Sequence, residues 1–434
     1  MMPAQRTERQ EAGSMADYDV LVVGGGTAGA VAAIQAGRLG ASVLLVEMTG
    51  QLGGSITNGH VSAPAYFWSP DRQIISGIGW ELAQKTRALG GPAFPDFGRP
   101  NPRRPSYHVP LNRHLWALVA EEECLRAGVD LHYHEILTAV RDGGDGFWEI
   151  ATVGKGLEGR YRAREIIDCS GDADAVRLAG FPVVRAETRQ PATLSFHIGG
   201  IDFDAVDPDA LQRAYEDALA SGELEAGDFC YRDRPFIDFL RGGGRNLQHI
   251  FGGDSTTSAT QTDASIRGRR SLLRLLRFIR RQAGCENATV DSLAPVAAAR
   301  DTWRIVGEHT ITHDEYLAGV IYPDAVCNTL YSIDVHDENG TRHEFLPLGK
   351  VPIIPLAALV PKGSRRLLAA GRNLSADTLA HSALRVECSC FAMGQAAGAA
   401  AALGVRLGVP SRSVPPPVLR AELRRQGAIV PDVD

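Results

Sequence analysis

The chain has 434 residues, 44% of them hydrophobic, and a formal net charge of −6 at pH 7. This length can bury two sizeable cores, and the acidic balance argues against nucleic acid as a partner. No apolar run reaches the roughly 20 residues that span a bilayer. Seven scattered cysteines favour reduced thiols in a cytoplasm over a disulfide framework. The scarcity of lysine indicates the codon bias of a GC-rich, bacterial genome.

Residues 1–17 are polar and lack the apolar stretch of a signal peptide, so they predict a disordered N-terminal tail. The next segment, 19–47, predicts a strand, a glycine turn, a helix and a second strand. Its G-x-G-x-x-G follows an apolar run typical of a buried parallel strand. These glycines allow a tight turn, a close approach of pyrophosphate and close helix packing, and Glu47 is placed to accept ribose hydroxyls. The residues predicted to bind a dinucleotide here are Gly24, Gly26, Thr27, Ala28, Gly29 and Glu47.

A second glycine pair follows at Gly53 and Gly54, with Ser55 after it. The dinucleotide motif occurs once, so no separate nicotinamide domain is expected. The pattern resembles the two-dinucleotide-binding-domain flavoproteins, in which this segment runs under the flavin pyrophosphate and ribityl chain. The resemblance implies FAD. The alternative is a glycine-rich loop without that role.

Alternating strand and helix patterns predict an α/β protein. A Pro/Gly-rich loop at 91–110 is typical of a lid or substrate wall. A helix face is expected at Leu111, Leu115, Leu118 and Val119, followed by a strand over 129–134. A hairpin is expected at 147–153 and 159–161, and a separate strand at 164–171.

Residues 183–362 differ in sequence pattern from the segments on either side. They predict a cap domain between two parts of the first domain, 18–182 and 363–434. Residues 207–219 predict a helix, and residues 266–281 a basic amphipathic one. The latter packs its apolar stripe on a core or, alternatively, lies on a membrane surface. A strand at 367–370, Gly371 and a long small-residue helix from about 386 to 403 return the chain to the first domain.

Four segments together resemble one family: GGGTAGAVAAIQAGRLGASVLLVE, IIDCSGDADAVRLAGFP, ARDTWRIVGEHTIT and AGRNLSADTLAHSALRVECSCFAMGQAAGAAAAL. They are similar to the FAD-dependent oxidoreductases related to succinate dehydrogenase/fumarate reductase and heterodisulfide-reductase flavoproteins. The resemblance implies a Rossmann-like FAD-binding domain with an inserted α+β substrate/cap domain. It also implies that the last helix points its N-terminus at the flavin. Further cofactor-binding residues implied are Gly171, Asp172, Gly371 and Arg372.

The family's R-x-x-x-R-x-x-G-E pattern falls on Arg300 and Arg304, which are expected to share a helix face. They clamp a substrate carboxylate or phosphate or, alternatively, form structural ion pairs.

The family's A-H-S/G-x-x-R pattern places His381 and Arg385 just before the last helix. His381 exchanges a proton beside the flavin or only hydrogen-bonds its loop. Arg385 neutralises reduced flavin or holds an anionic substrate. His60 is the candidate for a covalent flavin link. The spacing of Cys388 and Cys390 does not match a redox disulfide, and no metal site is expected.

The sequence thus predicts an FAD-dependent oxidoreductase that moves a hydride between a small, anionic organic substrate and flavin N5. The alternatives are a reductase of an activated double bond and an FAD-binding electron-transfer subunit of a larger redox complex. The expected partners are the substrate and an electron acceptor of unspecified kind, with a homo-oligomer as an open alternative.

Overall fold

A computed structural model describes residues 15–98, 107–231, 233–347 and 349–433. Its α-helices are α1 (Thr27–Arg38), α2 (Ile78–Ala88), α3 (Arg113–Arg126), α4 (Asp174–Leu178), α5 (Pro208–Ala220), α6 (Phe236–Arg241), α7 (Ser258–Ile279), α8 (His313–Ala318), α9 (Thr378–Leu384), α10 (Glu387–Leu407) and α11 (Pro416–Arg425). Its strands are β1 (Ala16–Val23), β2 (Val43–Glu47), β3 (Val129–Tyr133), β4 (Glu135–Asp142), β5 (Trp148–Gly154), β6 (Leu157–Asp168), β7 (Val183–Val184), β8 (Phe196–Gly199), β9 (Gly244–Arg245), β10 (Thr289–Leu293), β11 (Arg304–Ile305), β12 (Ala325–Asn328), β13 (Ile333–Asp337), β14 (Gly340–Glu344), β15 (Ile353–Pro355) and β16 (Leu367–Ala369).

The main sheet has seven strands in the order β3-β2-β1-β6-β5-β4, with β16 also paired to β6. The neighbours β3, β2, β1, β6 and β16 pair in parallel, whereas β5 pairs antiparallel with both β6 and β4. The predicted hairpin strand at 159–161 and the predicted strand at 164–171 are one strand, β6. Its first half pairs with β5 and its last residues pair with β16. The mixed α/β sheet agrees with the predicted fold class.

Helices α1 and α10 pack against each other at very short range. A β-carbon on Gly394 would lie 2.2 Å from the carbonyl oxygen of Ala28, and one on Gly398 would lie 2.3 Å from that of Ala32. The small residues of α10 are therefore required by backbone-to-backbone contact. By length and composition α10 is also apolar enough to cross a membrane, but 89% of its most apolar window is buried inside the protein.

Residues 196–288 form a hydrophobic core of their own around α5, α6 and α7, with Phe236 and Phe239 fully buried. In α7, Leu272 and Leu275 face this core and Arg270 and Arg277 are exposed, as in the first of the two alternatives for that helix. By contrast, Ile311 and Ile354 pack in the same core as α1 and α10. The predicted domain boundary at 362 therefore does not coincide with the boundary between these two hydrophobic cores. The inserted cap domain itself stays a prediction.

Three further expectations differ from the structure. Arg300 lies in an irregular segment and Arg304 in β11, so the shared helix face was wrong, because β11 pairs with β7 instead of continuing a helix. Leu118 is 62% exposed, since α3 buries Trp116 instead. Strand β1 begins at Ala16, inside the predicted tail, whose residues 1–14 lie outside the described ones. Residues 99–106 of the predicted lid loop are also outside them.

Candidate functional site

One cavity of about 2170 Å³ runs between the main sheet and the 196–298 region. It exceeds the roughly 300–1,000 Å³ of a single small-ligand pocket. Most residues predicted to bind the cofactor line it: Gly24, Gly26, Thr27, Ala28, Glu47, Gly54, Ser55, Gly171, Asp172, Gly371 and Arg372. Gly29 and Gly53 lie behind its wall.

The glycine turn is built as its sequence predicts. Gly24 has a φ of +89°, which a residue with a side chain rarely adopts. A β-carbon on Gly29 would lie 1.8 Å from the carbonyl oxygen of Gly24, so Gly29 permits the turn to pack on the helix. The second glycine pair lies directly beside this turn, because Gly53 N–H donates to the carbonyl of Gly25 at 2.8 Å. The two glycine motifs thus form one cradle.

Two helix N-termini open into the cavity. Among the described residues no side chain caps α1 or α10 at its N-terminus, and the N-cap residues Gly26 and Val386 both line the cavity. Free N–H groups and the positive end of the helix dipole make such termini suited to anions. The glycine cradle at α1 fits a pyrophosphate, and the α10 terminus fits the electron-rich edge of a flavin, so these residues suit FAD.

Glu47 has more protein contacts than the sequence suggested. Its carboxylate accepts hydrogen bonds from Gly25 N–H at 2.7 Å and from Thr49 N–H and Oγ1 at 2.7 Å each. It therefore braces the glycine turn from the end of β2. One lone pair, on Oε2, remains for a ribose hydroxyl, since each carboxylate oxygen offers two.

Asp172 joins distant parts of the chain. Its carboxylate accepts hydrogen bonds from Ser255 at 3.0 and 3.1 Å, from Thr302 at 2.7 Å and from Arg372 at 2.6 Å. Arg372 also donates to the carbonyl of Ala299 at 2.8 Å. The predicted cofactor residues Asp172 and Arg372 thus form an ion pair that closes one wall of the cavity.

Two of the four candidate catalytic residues lie away from the cavity lining. Arg304 is buried in an ion pair with Asp301 at 2.9 Å. His381 is fully buried, and its Nε2 hydrogen-bonds the carbonyl of Arg372 at 2.7 Å. Burial and the charges of nearby arginines lower the pKa of His381 well below its usual range. These placements favour the structural alternatives for both residues: an ion pair for Arg304 and a loop hydrogen bond for His381.

The other two candidates, Arg300 and Arg385, line the cavity together. Arg300 is 7% exposed and donates to the carbonyl of Pro191 at 2.7 Å, but within the described residues it makes no ion pair. Burial, and then the charge of Arg385, lower the pKa of Arg300 to about 10. The Nε of Arg385 is buried and has no hydrogen-bond partner in the described part of the chain. Two neighbouring, incompletely paired guanidinium groups are arranged to receive an anion.

The sequence analysis missed the hairpin β13–β14, which also lines the cavity. Its cross-strand pairs Asp334↔His343 and His336↔Thr341 place four polar side chains on one face. Asp334 lies 3.1 Å from His336 Nε2 and 3.7 Å from Arg385. Polar residues at every second position of D-V-H and T-R-H were the available signal.

Asp334 is the ionised centre of this group. Burial alone would raise its pKa, but the hydrogen bond from His336 and the surrounding positive charges hold it well below its usual range. Burial and the charge of Arg300 lower the pKa of His336 to about 4, so this imidazole is neutral at pH 7.

His60 lines the cavity with a φ of +54°, and its Nδ1 lies 3.2 Å from Ser292 Oγ. Burial and the charge of Arg113 lower the pKa of His60 to about 4. All seven cysteines are buried free thiols, and burial raises the pKa of Cys390 to about 12, which argues against thiolate chemistry. Among the described residues, no group of three or more His, Cys, Asp or Glu side chains could hold a metal ion.

The glycine cradle on a parallel strand, the carboxylate after β2 and the open helix ends define a dinucleotide-binding protein of the Rossmann-like class. Residues 19–423 match the family model described as FAD dependent oxidoreductase. The chain belongs to this family and is an FAD-dependent oxidoreductase. The finer kinship with succinate dehydrogenase/fumarate reductase and heterodisulfide reductase, like the cytoplasmic location, stays a prediction.

Other known proteins are similar over part or most of the chain. Sarcosine oxidase subunit alpha of Rhizobium meliloti (strain 1021) is 31% identical over 127 residues, which are 27% of this chain and 13% of that protein. A geranylgeranyl bacteriochlorophyll reductase-like protein from Thermoplasma acidophilum is 15% identical with a TM-score of 0.45, over 95% of this chain and 83% of its own. The p-nitrophenol 4-monooxygenase of Pseudomonas putida DLL-E4 is 14% identical with a TM-score of 0.44, over 94% and 89%.

Proposed function

We propose that this FAD-dependent oxidoreductase oxidises a small organic anion that Arg300 and Arg385 hold in the cavity. Bound FAD would supply the hydride acceptor, the flavin N5. The chain's own contribution is to bind the anion, to orient the carbon to be oxidised and to keep water from it. The residues of the glycine cradle and the α10 terminus would hold the cofactor.

The burial of Arg300 carries this proposal. A buried charge without a counter-ion is costly, because desolvation removes several kcal/mol of hydration. Arg300 is buried beside a second cation, Arg385. The negative charge of Asp334 offsets only part of the desolvation cost of Arg300. A substrate carboxylate would complete the charge balance and accept hydrogen bonds from guanidinium groups.

The same observation separates the alternatives. An FAD-binding electron-transfer subunit has no need for two neighbouring, incompletely paired arginines in a cavity that continues from the cofactor cradle. A reductase of an activated double bond would use the same anion site in the opposite direction. The experiment below therefore has to decide whether the enzyme oxidises or reduces its substrate.

The test mixes the FAD-loaded protein anaerobically with a panel of small carboxylates and follows the flavin absorbance. We expect at least one to bleach the flavin. Arg300→Met should raise the half-saturating concentration about 10- to 100-fold, since a hydrogen bond to a charged group contributes about 1.5–3 kcal/mol. Arg269→Met, an exposed arginine on α7, is the control that should match the unaltered protein.

Three results would overturn parts of the proposal. An unchanged half-saturating concentration in Arg300→Met would contradict the anion site. Bleaching by neutral compounds alone would contradict the substrate class. Reoxidation of chemically reduced protein by unsaturated acids, with no acid able to bleach it, would assign the reductase direction.

A further inference from the structure

Five histidines line the cavity, and they differ in which ring nitrogen is available: His60, His108, His197, His336 and His343. In His336 both nitrogens have protein partners, Asp334 on Nε2 and His249 on Nδ1 at 2.9 Å. Burial and the nearby positive charge of Arg113 disfavour the charged form of His60. His108 stacks edge-on against Tyr66.

His343 has a different arrangement. Its Nδ1 lies 3.2 Å from Ser332 Oγ and 3.5 Å from Asp334 Oδ1, while its Nε2 has no partner among the described residues. The ring is about one-third exposed, and Phe345 stacks beside it at a centroid distance of 5.9 Å. A hydrogen bond from Nδ1 to the Asp334 carboxylate would favour the tautomer in which Nε2 keeps a free lone pair.

Asp334 also connects this imidazole to the anion site. One of its oxygens lies 3.5 Å from His343 and the other 3.7 Å from Arg385. The buried Oδ1 of Asp334 has no hydrogen-bond partner among the residues that the structure describes, so a small movement of His343 would satisfy it. Such bonds are often long before the substrate arrives.

We propose that His343 accepts the proton of the substrate, and that the substrate is an organic acid with a hydroxyl or amino group on the carbon to be oxidised. This inference rests on the proposed function. The C–H bond of that carbon breaks and its electron pair leaves as hydride to the cofactor. The O–H or N–H bond breaks in the same oxidation, its proton moves to His343 Nε2, and a C=O or C=N bond forms. Asp334 is a positioning residue that holds Nδ1 and stabilises the resulting imidazolium.

Charged groups on β13, on β14 and in the anion site lie near His343. Asp334 on β13 lies 3.5 Å from His343 Nδ1, and Arg385, one of the two arginines of the anion site, lies 3.7 Å from the same carboxylate. On β14 itself, Arg342 pairs with Asp337 and Glu344 with His313, and both lie on the opposite face of the strand.

The test uses oxalate, a dianion that presents an anionic oxygen where the substrate would have lost its proton. Calorimetric titration in buffers of different ionisation enthalpy measures the protons taken up on binding. We expect about one proton per site in the unaltered protein and none in His343→Gln, with the oxalate affinity lowered less than tenfold. Arg300→Met should instead lose most of the affinity.

The kinetic arm compares the same variants on the acid found by anaerobic bleaching. His343→Gln should slow flavin reduction at least 100-fold, a size typical of general-base loss, and added imidazole should restore part of the rate in His343→Ala. The matched control is His197→Gln. His197 also lines the cavity and pairs with Asp291 at 3.1 Å, but both side chains are about half exposed.

The outcomes separate the two proposals. No oxalate binding to the unaltered protein, or equal binding by Arg300→Met, would contradict the anion site and the proposed function. Binding that depends on Arg300 while His343→Gln keeps the proton uptake and the rate would overturn only the role of His343. Bleaching solely by acids without a hydroxyl or amino group would overturn the substrate class.

Discussion

The two ends of the cavity are built from opposite materials. At the nucleotide end, α1 and α10 meet through glycine and alanine, and Gly24, Gly26, Gly54 and Gly371 line the cavity. At the other end, the β13–β14 hairpin and the two arginines present ionisable side chains. The helix contact behind the first end leaves almost no room for added volume, whereas the second end depends on charge. Substitutions of size and of charge should therefore separate the two ends.

The largest effect is expected from Gly394→Val. Its β-carbon would lie 2.2 Å from the carbonyl oxygen of Ala28, so α10 and α1 cannot approach each other as they do. Overpacking usually costs about 1–3 kcal/mol, and a contact with rigid backbone lies beyond that range. We expect no folded, FAD-binding protein, measured by circular dichroism and flavin retention. Arg406→Val, half-exposed on the same helix, should fold and retain FAD; if Gly394→Val did so too, the size-limited half of the comparison would fail.

A smaller effect is expected from Arg304→Met. This substitution tests whether Arg304, like Arg300 of the same R-x-x-x-R pattern, belongs to the charged end of the cavity. Removal of Arg304 leaves Asp301 buried without its partner, at a cost of about 3 kcal/mol in the free energy of unfolding. Denaturant titration should show this loss, while the half-saturating substrate concentration of the folded fraction stays within about threefold. Arg304→Met with Asp301→Asn should recover part of the stability. A hundredfold rise in half-saturation with normal stability would place Arg304 in the anion site.

The smallest effect concerns Glu165, a buried carboxyl in β6 of the nucleotide-binding sheet. Burial raises its pKa to about 8, although Ser411 and Arg366 oppose this shift. Between pH 4.5 and 8 the unfolded chain loses the proton that the folded protein keeps, so this group's stabilising contribution falls as pH rises. Glu165→Gln removes that dependence. Relative to the unaltered protein, it should gain on the order of 2 kcal/mol between pH 5 and pH 6.5 by denaturant titration. An unchanged difference across that range would show that Glu165 ionises normally.

Much of the nucleotide end was predicted from the sequence. The strand, glycine turn, helix and second strand from Val20 to Glu47 are local features, set by hydrophobic pattern and by glycines, of which Gly24 and Gly29 have no room for a side chain. The long small-residue helix was predicted for the same reason, and it is α10. The sequence did not reveal why α10 consists so largely of glycine and alanine. That reason is its contact with α1, more than 350 residues earlier in the chain.

The other end of the cavity was decided by tertiary structure. Arg300 and Arg304 looked equivalent in the sequence, yet one lines the cavity and the other is buried in an ion pair, because the segment between them is irregular. The Asp334 and His343 pair depends on a strand register, and its nearness to Arg385 depends on how that hairpin packs beside α9. By itself the sequence determined the fold class, the FAD cradle and the family. The packing of distant segments decided which ionisable side chains face the substrate space, because charge pairing acts between neighbours in space, and local periodicity does not encode them.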